Sequence, residues 1–246
     1  MKFVIYNESK DEDIVLIPPG GLDERCFTRA LPFLEGYRVI VPVLDGNVIG
    51  EDSTLPDRAT EVKRIIEGLK ERNVTTIRVL QGISYGATLA LEVLMTREFV
   101  IKRTVLDGGS FLKYGFIMKT ANLIGTKAYV SGIRKNPDKP SMYASLGEDI
   151  DRCGREIFSH MSDASLKQLI KDSMSGVEVK PGGVTADDHL LVTYGEKDGY
   201  KSGLKWFKQS GYPYEEVVLE GYGHCSYFAN NPEEYVKRFY MLSSDS

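Results

Sequence analysis

Residues 80–90 carry an apolar, strand-like segment directly into an alanine- and leucine-rich helical one, and residues 82–86 (Gly-Ile-Ser-Tyr-Gly) form the junction. So sharp a turn holds its central serine in strained backbone geometry, and a side chain at either flanking position would collide with the neighbouring strand or helix. Glycine at positions 82 and 86 avoids both collisions. The pattern therefore predicts a buried strand, Ser84 exposed at the turn, and a helix behind it.

Short apolar runs alternate with helical patterns along most of the chain, which predicts parallel strands joined by crossover helices, that is, an α/β fold. Most runs have the continuous Val, Ile and Leu character of strands covered on both faces, so we expect a mostly parallel central sheet with helices on both sides. The predicted strands are residues 2–6, 14–17, 38–41, 77–81, 103–106, 190–194 and 214–219. The predicted helices are residues 24–34, 56–72, 85–96, 201–209 and 232–242.

The alternation stops between Gly109 and Gly183, where the sequence is helical and aromatic, with residues 135–140 as its strongest break. We expect one domain over residues 1–246, with residues 110–183 inserted as a helical cap. The large apolar side chains of the insertion either line an acyl or alkyl pocket over Ser84 or pack the insertion onto the core. They are Tyr114, Phe116, Ile117, Met118, Tyr129, Met142, Tyr143, Phe158 and Met161.

Composition excludes several classes of function. The 246 residues include 31 basic and 35 acidic ones, mixed along the chain, so there is no basic stripe for a nucleic-acid partner. The N-terminal apolar run is too short for a signal peptide and no segment reaches the length of a membrane span, so we expect a cytoplasmic protein. Three cysteines without C-x-x-C or Cys/His spacing argue against disulfides and a zinc site, and no metal is expected.

A serine hydroxyl is a weak nucleophile near neutral pH and needs an adjacent base, which in turn needs a third group to orient it. The chain offers three histidines as the base. His160 lies within the helical insertion, where packing or exposure to solvent is expected. His189 precedes a predicted strand, which is the wrong end, because reactive groups of open parallel sheets gather at the carboxyl ends of strands. His224 follows the predicted strand 214–219 in a glycine-rich loop, so it is the predicted base.

Two aspartates follow predicted strands at the same edge of the sheet and are candidates for the orienting acid. Asp198 follows the strand 190–194 in a Gly-x-x-Asp-Gly loop, and Asp107 follows the strand 103–106. Asp198 is favoured for its position in that loop, Asp107 stays open as the alternative, and Glu196 is a weaker candidate.

Two backbone N–H groups are predicted to bind a developing oxyanion. Tyr85 opens the helix behind the turn, so its N–H lies at the positive end of that helix. Residues 18–23 (Pro-Pro-Gly-Gly-Leu-Asp) follow the strand 14–17, and their glycines allow a close backbone approach to a ligand. Gly21 is the predicted second donor and Leu22 is the alternative.

Four segments together resemble the α/β-hydrolase superfamily, in the capped, single-domain form of small esterases and proline iminopeptidase-like enzymes. They are residues 82–86, 20–23, 195–198, and 223–225 followed by 231–236. The resemblance covers nearly the whole chain and implies an eight-stranded, mostly parallel sheet. Only one short predicted strand precedes the strand that leads into residues 18–23 here, so we expect a shortened N-terminal hairpin. The order Ser84, Asp198, His224 is that expected of the family's triad. The chain departs from the family at residues 18–20, where members usually have His-Gly.

The resemblance implies hydrolysis of a carboxylic ester or related acyl compound through a Ser84 acyl-enzyme, with a small-molecule substrate and no cofactor. His224 would take the serine proton, and Asp198 would hold the imidazolium. The same triad cleaves peptides, thioesters, lactones and carbon–carbon bonds, and a non-catalytic binding protein on this fold is a further alternative. A peptidase of the iminopeptidase kind would need cap acids to hold a substrate amine. Four are available: Glu148, Asp149, Asp151 and Glu156.

Overall fold

Runs rich in Val, Ile and Leu form the strands of the protein, as their continuous apolar character favours. The structure is a computed structural model and describes residues 1–51 and 53–241. The strands are β1 (Lys2–Tyr6), β2 (Asp13–Ile17), β3 (Arg38–Val43), β4 (Thr76–Ile77), β5 (Val79–Ile83), β6 (Val100–Ile101), β7 (Thr104–Asp107), β8 (Leu190–Gly195) and β9 (Glu215–Leu219).

Among the residues described, seven strands form one sheet in the order β1-β3-β2-β5-β7-β8-β9, while β4 pairs with β6. Within this sheet, β1 and β3 are antiparallel and the other neighbours are parallel. All residues of β2, β5, β7 and β8 are buried, so the centre of the sheet is covered on both faces. The predicted α/β class with a mostly parallel sheet is confirmed, with seven strands in place of the eight that the resemblance implied.

Helices connect the strands and cover the sheet. They are α1 (Arg58–Glu71), α2 (Tyr85–Leu94), α3 (Phe116–Lys135), α4 (Glu148–His160), α5 (Asp163–Ser173), α6 (Leu204–Ser210), α7 (Ser226–Asn230) and α8 (Pro232–Phe239). The predicted helix 232–242 corresponds to α8, and Leu242 lies outside the described residues. In the described part of the chain, every helix is too short or too polar to cross a membrane.

Three predicted elements are divided in the structure, and in one of them, residues 201–209, a 3-10 helix at Lys201–Gly203 leads directly into α6. Residues 24–34 form two 3-10 helices, Glu24–Phe27 and Leu31–Phe33, because Pro32 would clash with a carbonyl one turn earlier in a continuous α-helix. The predicted strand 77–81 is shared between β4, which pairs with β6, and β5, which lies between β2 and β7. One apolar segment thus contributes strands to both the seven-stranded and the two-stranded sheet.

The sheet brings the candidate residues to one edge. Ile83, the last residue of β5, pairs with Asp107 at the end of β7, and Asp107 pairs with Thr193 on β8. Because these strands are parallel, Ser84 and the loops that follow β7, β8 and β9 all emerge on the same side. Helices α3, α4 and α5 lie between β7 and β8, and α3 packs against both of the others.

Buried Glu61 on α1 gives the fold a pH dependence. Its Oε1 accepts a hydrogen bond from the Asp45 N–H at 2.9 Å, and burial, with the Asp45 charge in the same direction, raises the pKa of Glu61 to about 8. The folded state therefore holds this proton more tightly than the unfolded chain, and the associated stability is lost as pH rises. We expect the melting temperature to fall between about pH 5 and pH 8.

Glu61→Gln keeps an acceptor oxygen and should flatten that fall, measured by thermal denaturation followed by circular dichroism. Glu67→Gln, on the same helix but exposed, is the matched control and should keep the wild-type slope. Equal slopes for the wild type and Glu61→Gln would contradict the prediction.

Candidate active site

The turn between β5 and α2 has the strained geometry that its sequence predicts. Ser84 has φ 54° and ψ −115°, and its N–H donates to the Asp107 carbonyl at 2.7 Å. A methyl group on Gly82 would overlap the backbone of Gly86, and one on Gly86 would overlap the Ile17 carbonyl. Both glycines therefore permit close backbone packing that a larger residue would prevent.

The structure places the imidazole of His224 between Ser84 and Asp198. Nε2 of His224 lies 3.1 Å from Oγ of Ser84, and Nδ1 lies 2.9 Å from Oδ2 of Asp198. The Asp198 side chain is fully buried, whereas that of His224 is 30% exposed. These contacts form a continuous hydrogen-bonded chain from a buried carboxylate to a hydroxyl that a solvent-borne ligand can reach.

The loop after β8 fixes the Asp198 carboxylate. Its second oxygen, Oδ1, accepts a hydrogen bond from the Tyr200 N–H at 2.7 Å, so both oxygens are used. The Tyr200 ring also lies against the His224 ring, with centroids 5.1 Å apart. Sequence reasoning missed Tyr200, although its position two residues after Asp198 in a tight loop was an available signal.

The other candidate acids occupy different positions. Asp107 is buried beside Tyr235, where burial raises its pKa to about 7. Its carboxylate is not a member of the hydrogen-bonded chain from Asp198 to Ser84, whereas its backbone carbonyl accepts the Ser84 N–H. Glu196 accepts a hydrogen bond from the Gly221 N–H at 3.0 Å, and so braces the loop that carries His224.

The remaining histidines lie elsewhere. His160 ends α4, is exposed, and has Nδ1 2.8 Å from the Glu156 carbonyl oxygen. His189 immediately precedes β8, at the amino end of that strand. Among the residues described, no group of three or more His, Cys, Asp or Glu side chains is placed to hold a metal ion.

The loop after β2 lies opposite the serine turn. Gly21 has φ 81°, a conformation that favours glycine. The Leu22 N–H donates to the Pro19 carbonyl at 3.2 Å, and the Leu22 carbonyl accepts from the Asn47 side-chain amide at 2.8 Å. The Leu22 amide is therefore already used within the loop.

Two cavities reach Ser84 and His224. The larger, about 550 Å³, is walled on one side by the loop around His224 and on another by the insertion, with Tyr200 between the two in the sequence. The smaller, about 20 Å³, has an apolar wall that includes Leu22, Ile150 and Phe228. The first is open and has both polar and apolar walls, and the second has room for little more than a methyl group.

The insertion lines both cavities, with Met142, Tyr143, Ser145 and Leu146 in the larger one and Tyr143, Leu146 and Ile150 in the smaller one. Of the nine apolar residues predicted to line a pocket or to pack inward, Met142 and Tyr143 reach the larger cavity, and Phe158 and Met161 are buried in the core. Neither interpretation holds for Phe116, Ile117 and Met118, which are exposed on the first turn of α3.

The four acidic residues considered for binding a substrate amine are all paired with arginines. Glu156 pairs with Arg25 and Asp149 with Arg29. Glu148 and Asp151 both pair with Arg155, at 3.1 and 3.3 Å. Each carboxylate therefore already has a cationic partner within the protein, although Glu148 and Asp151 share one arginine.

A mostly parallel sheet with a strained serine turn between a strand and a helix is the architecture of an α/β hydrolase. The chain belongs to the alpha/beta hydrolase family, whose family model matches residues 14–238. No curated protein sequence matched the chain.

Solved structures show the same fold. An alpha/beta hydrolase family protein from Desulfitobacterium hafniense has a TM-score of 0.75 at 20% identity, over 96% of this chain and 98% of that one. An esterase from Exiguobacterium antarcticum has a TM-score of 0.67 at 20% identity, covering 96% and 92%. A meta-cleavage product hydrolase from Pseudomonas fluorescens has a TM-score of 0.65 at 18% identity, covering 97% and 90%.

Proposed function

We propose that the protein is a serine hydrolase that cleaves carboxylic esters of small molecules through an acyl-enzyme on Ser84. The observation that carries this proposal is the hydrogen-bonded chain from Asp198 through His224 to Ser84, with contacts of 2.9 and 3.1 Å. The position of Ser84 on a strained turn supports it, because this geometry presents the hydroxyl to a ligand.

The proposed reaction has two stages. His224 removes the hydroxyl proton as Ser84 Oγ attacks the ester carbonyl, and then donates that proton to the departing alcohol oxygen. His224 next removes a proton from water as the water attacks the acyl-enzyme carbonyl, and it returns that proton to Ser84 Oγ as the acyl–oxygen bond breaks and the acid departs. Asp198 stabilises the imidazolium and sets the orientation of the ring in both stages.

The N–H groups of Tyr85 and Gly21 are proposed to bind the oxyanion. Tyr85 is the first residue of α2, where first-turn amides lack an acceptor within the helix. Gly21 is preferred to Leu22 because the Leu22 amide donates to Pro19 within its own loop. The positive φ of Gly21 suits an amide turned towards a ligand.

The two cavities suggest where the alcohol part and the acyl part of the substrate bind. His224 must reach the leaving oxygen, and the loop that carries His224 forms one wall of the larger cavity. We assign the alcohol part to that cavity and the acyl chain to the smaller one, beside the loop of Pro19 and Leu22. A volume of about 20 Å³ restricts the acyl group to roughly the size of acetyl.

We further propose that residues 1–246 form one hydrolase domain, with residues 110–183 as its cap. Tyr143 supports this assignment, because its hydroxyl donates to the Gly20 carbonyl at 2.5 Å and its ring borders both cavities. The cap thus contacts the predicted oxyanion loop and borders the substrate site.

Acyl-chain length should control the rate. We expect kcat/KM for p-nitrophenyl esters to fall by at least about tenfold between acetate and hexanoate, because each excess methylene must displace packed side chains. Ile150→Ala, which enlarges the smaller cavity, should shift the preference towards longer chains. Ile133→Ala removes the same atoms from a buried site on α3 that does not line this cavity, and should leave the preference unchanged. Equal rates for all chain lengths would contradict the assignment of the acyl group.

A fluorophosphonate probe tests the proposed function directly. Its phosphorus is attacked by an activated serine and fluoride departs, so the folded protein should be labelled at Ser84 and the heat-unfolded protein should not. The site is read by mass spectrometry of peptides. An unlabelled Ser84 in folded protein, beside a labelled control hydrolase, would overturn the proposal in favour of a non-catalytic binding protein.

A further inference from the structure

The first half of α3 presents large apolar side chains to solvent. Phe116, Ile117, Met118 and Ile124 are 83%, 84%, 57% and 65% exposed, and we call these four the α3 patch. Ala121, Gly125 and Ala128 extend the exposed surface along the helix. Soluble proteins rarely leave clustered apolar groups this open unless the surface binds a partner.

The second half of α3 attaches the helix to the protein. Val130 and Ile133 are buried, and the Tyr129 ring packs edge-on against Phe158 with centroids 5.8 Å apart. Arg134 forms an ion pair with Asp163 at 2.8 Å. The fully buried side chains of α3 therefore lie in its second half, and the α3 patch lies in its first half.

The segment around the patch is basic in a chain that is acidic as a whole. Residues 113–139 contain six basic residues and one acidic residue, Asp138, whereas the whole chain has a formal net charge of −4. Lys119 and Lys127 lie on α3 among the patch residues or one turn beyond them. Apolar side chains accompanied by basic ones on one helix suit an anionic, partly apolar surface.

Charge distinguishes a lipid surface from a second copy of the chain. A two-fold symmetric dimer through α3 would bring the same basic segment of each copy together, and like charges at an interface oppose association. An anionic bilayer instead neutralises the lysines and accepts the apolar side chains at its headgroup boundary. We propose that the α3 patch docks the protein onto the surface of an anionic lipid bilayer.

The helix that carries the α3 patch also contacts the candidate active site. The Tyr129 hydroxyl accepts a hydrogen bond from the Met142 N–H at 2.6 Å, and Met142 lines the larger cavity. The docking helix is therefore linked directly to the rim of the substrate site. The proposal itself does not depend on catalysis, because binding is measured without turnover.

Co-sedimentation of the full chain with vesicles tests the proposal. We expect at least about tenfold tighter binding to phosphatidylcholine vesicles that contain roughly 30% phosphatidylglycerol than to pure phosphatidylcholine, and weaker binding as salt rises. The double variant Ile117→Ser/Ile124→Ser should lose about tenfold in affinity, since it removes apolar contacts. Lys119→Gln/Lys127→Gln should lose the preference for phosphatidylglycerol. All four positions are at least partly exposed, so these variants should keep the fold.

Val100→Ser is the matched control, because Val100 is also 65% exposed but lies on β6, before the amino end of β7. It should bind vesicles as the wild type does. Equal binding to both vesicle types, or full binding by the Ile117→Ser/Ile124→Ser variant, would overturn the proposal. So would concentration-dependent dimerisation in sedimentation velocity that this variant abolishes, since the α3 patch would then belong to a second copy.

Discussion

Ser84→Ala is expected to lower kcat for p-nitrophenyl acetate by about 10⁴-fold or more, to the level set by binding and the oxyanion donors alone. The reason is the 3.1 Å contact between Ser84 Oγ and His224 Nε2, which makes Ser84 the hydroxyl that the base can activate. KM should change much less than kcat, because the hydroxyl acts on the reacting carbon. Initial rates over a range of substrate concentrations separate the two constants.

Ser131→Ala is the matched control for Ser84→Ala, because it removes the same atom from α3 rather than from the serine turn. It should retain wild-type kcat. Circular dichroism and the melting temperature should show that both variants are folded. Substantial hydrolysis by folded Ser84→Ala would place the reaction elsewhere in the protein.

Asp198→Asn is expected to lower kcat by an amount on the order of 10⁴-fold, because an amide can hold the wrong tautomer of the imidazole and cannot stabilise its charged form. Asp107, the other candidate acid, can be compared with Asp198 in the same protein. Asp198 Oδ2 lies 2.9 Å from His224 Nδ1, whereas the buried Asp107 carboxylate lies beside Tyr235 with its pKa raised to about 7. Asp107→Asn should therefore keep kcat within the same order of magnitude as the wild type.

Rates of both variants across the pH range complete this comparison. Asp107→Asn resembles the protonated form of Asp107, so its rate should match the wild type most closely below about pH 7. A large loss in Asp107→Asn together with an active Asp198→Asn would reverse the assignment of the acid. Loss in both would mean that the two carboxylates act together.

Much of this fold could be read from local patterns. Continuous apolar runs mark strands buried on both faces, and the glycines around Ser84 mark a turn whose backbone tolerates no side chain, so the α/β class and the position of the turn followed directly. Residues 24–34 were harder, because a helical pattern of apolar residues continues across this segment, while the chain forms two short 3-10 helices, the second of which contains Pro32. The spacing of the apolar side chains predicted one helix, although Pro32 lacks the backbone N–H that a continuous α-helix needs.

The α3 helix shows the opposite limit. Its apolar composition was compatible with a buried pocket lining or with packing against the core, yet Phe116 and Ile117 are among its most exposed residues. Exposure depends on what the rest of the chain places next to a helix, and no local pattern contains that information. Tyr200 is an intermediate case: its N–H contact with Asp198 is local, but its ring contact with His224 joins residues 24 positions apart in the sequence.

The sequence by itself determined the α/β class, the strained turn at Ser84 and a short set of candidate residues, because these depend on neighbouring residues along the chain. Only the tertiary structure decided which candidates meet. Parallel pairing of β5, β7, β8 and β9 brings their carboxyl ends to one edge, and there His224 reaches Asp198 rather than Asp107. That choice depends on angstrom-scale distances between residues far apart in sequence, which the packing of the whole sheet sets.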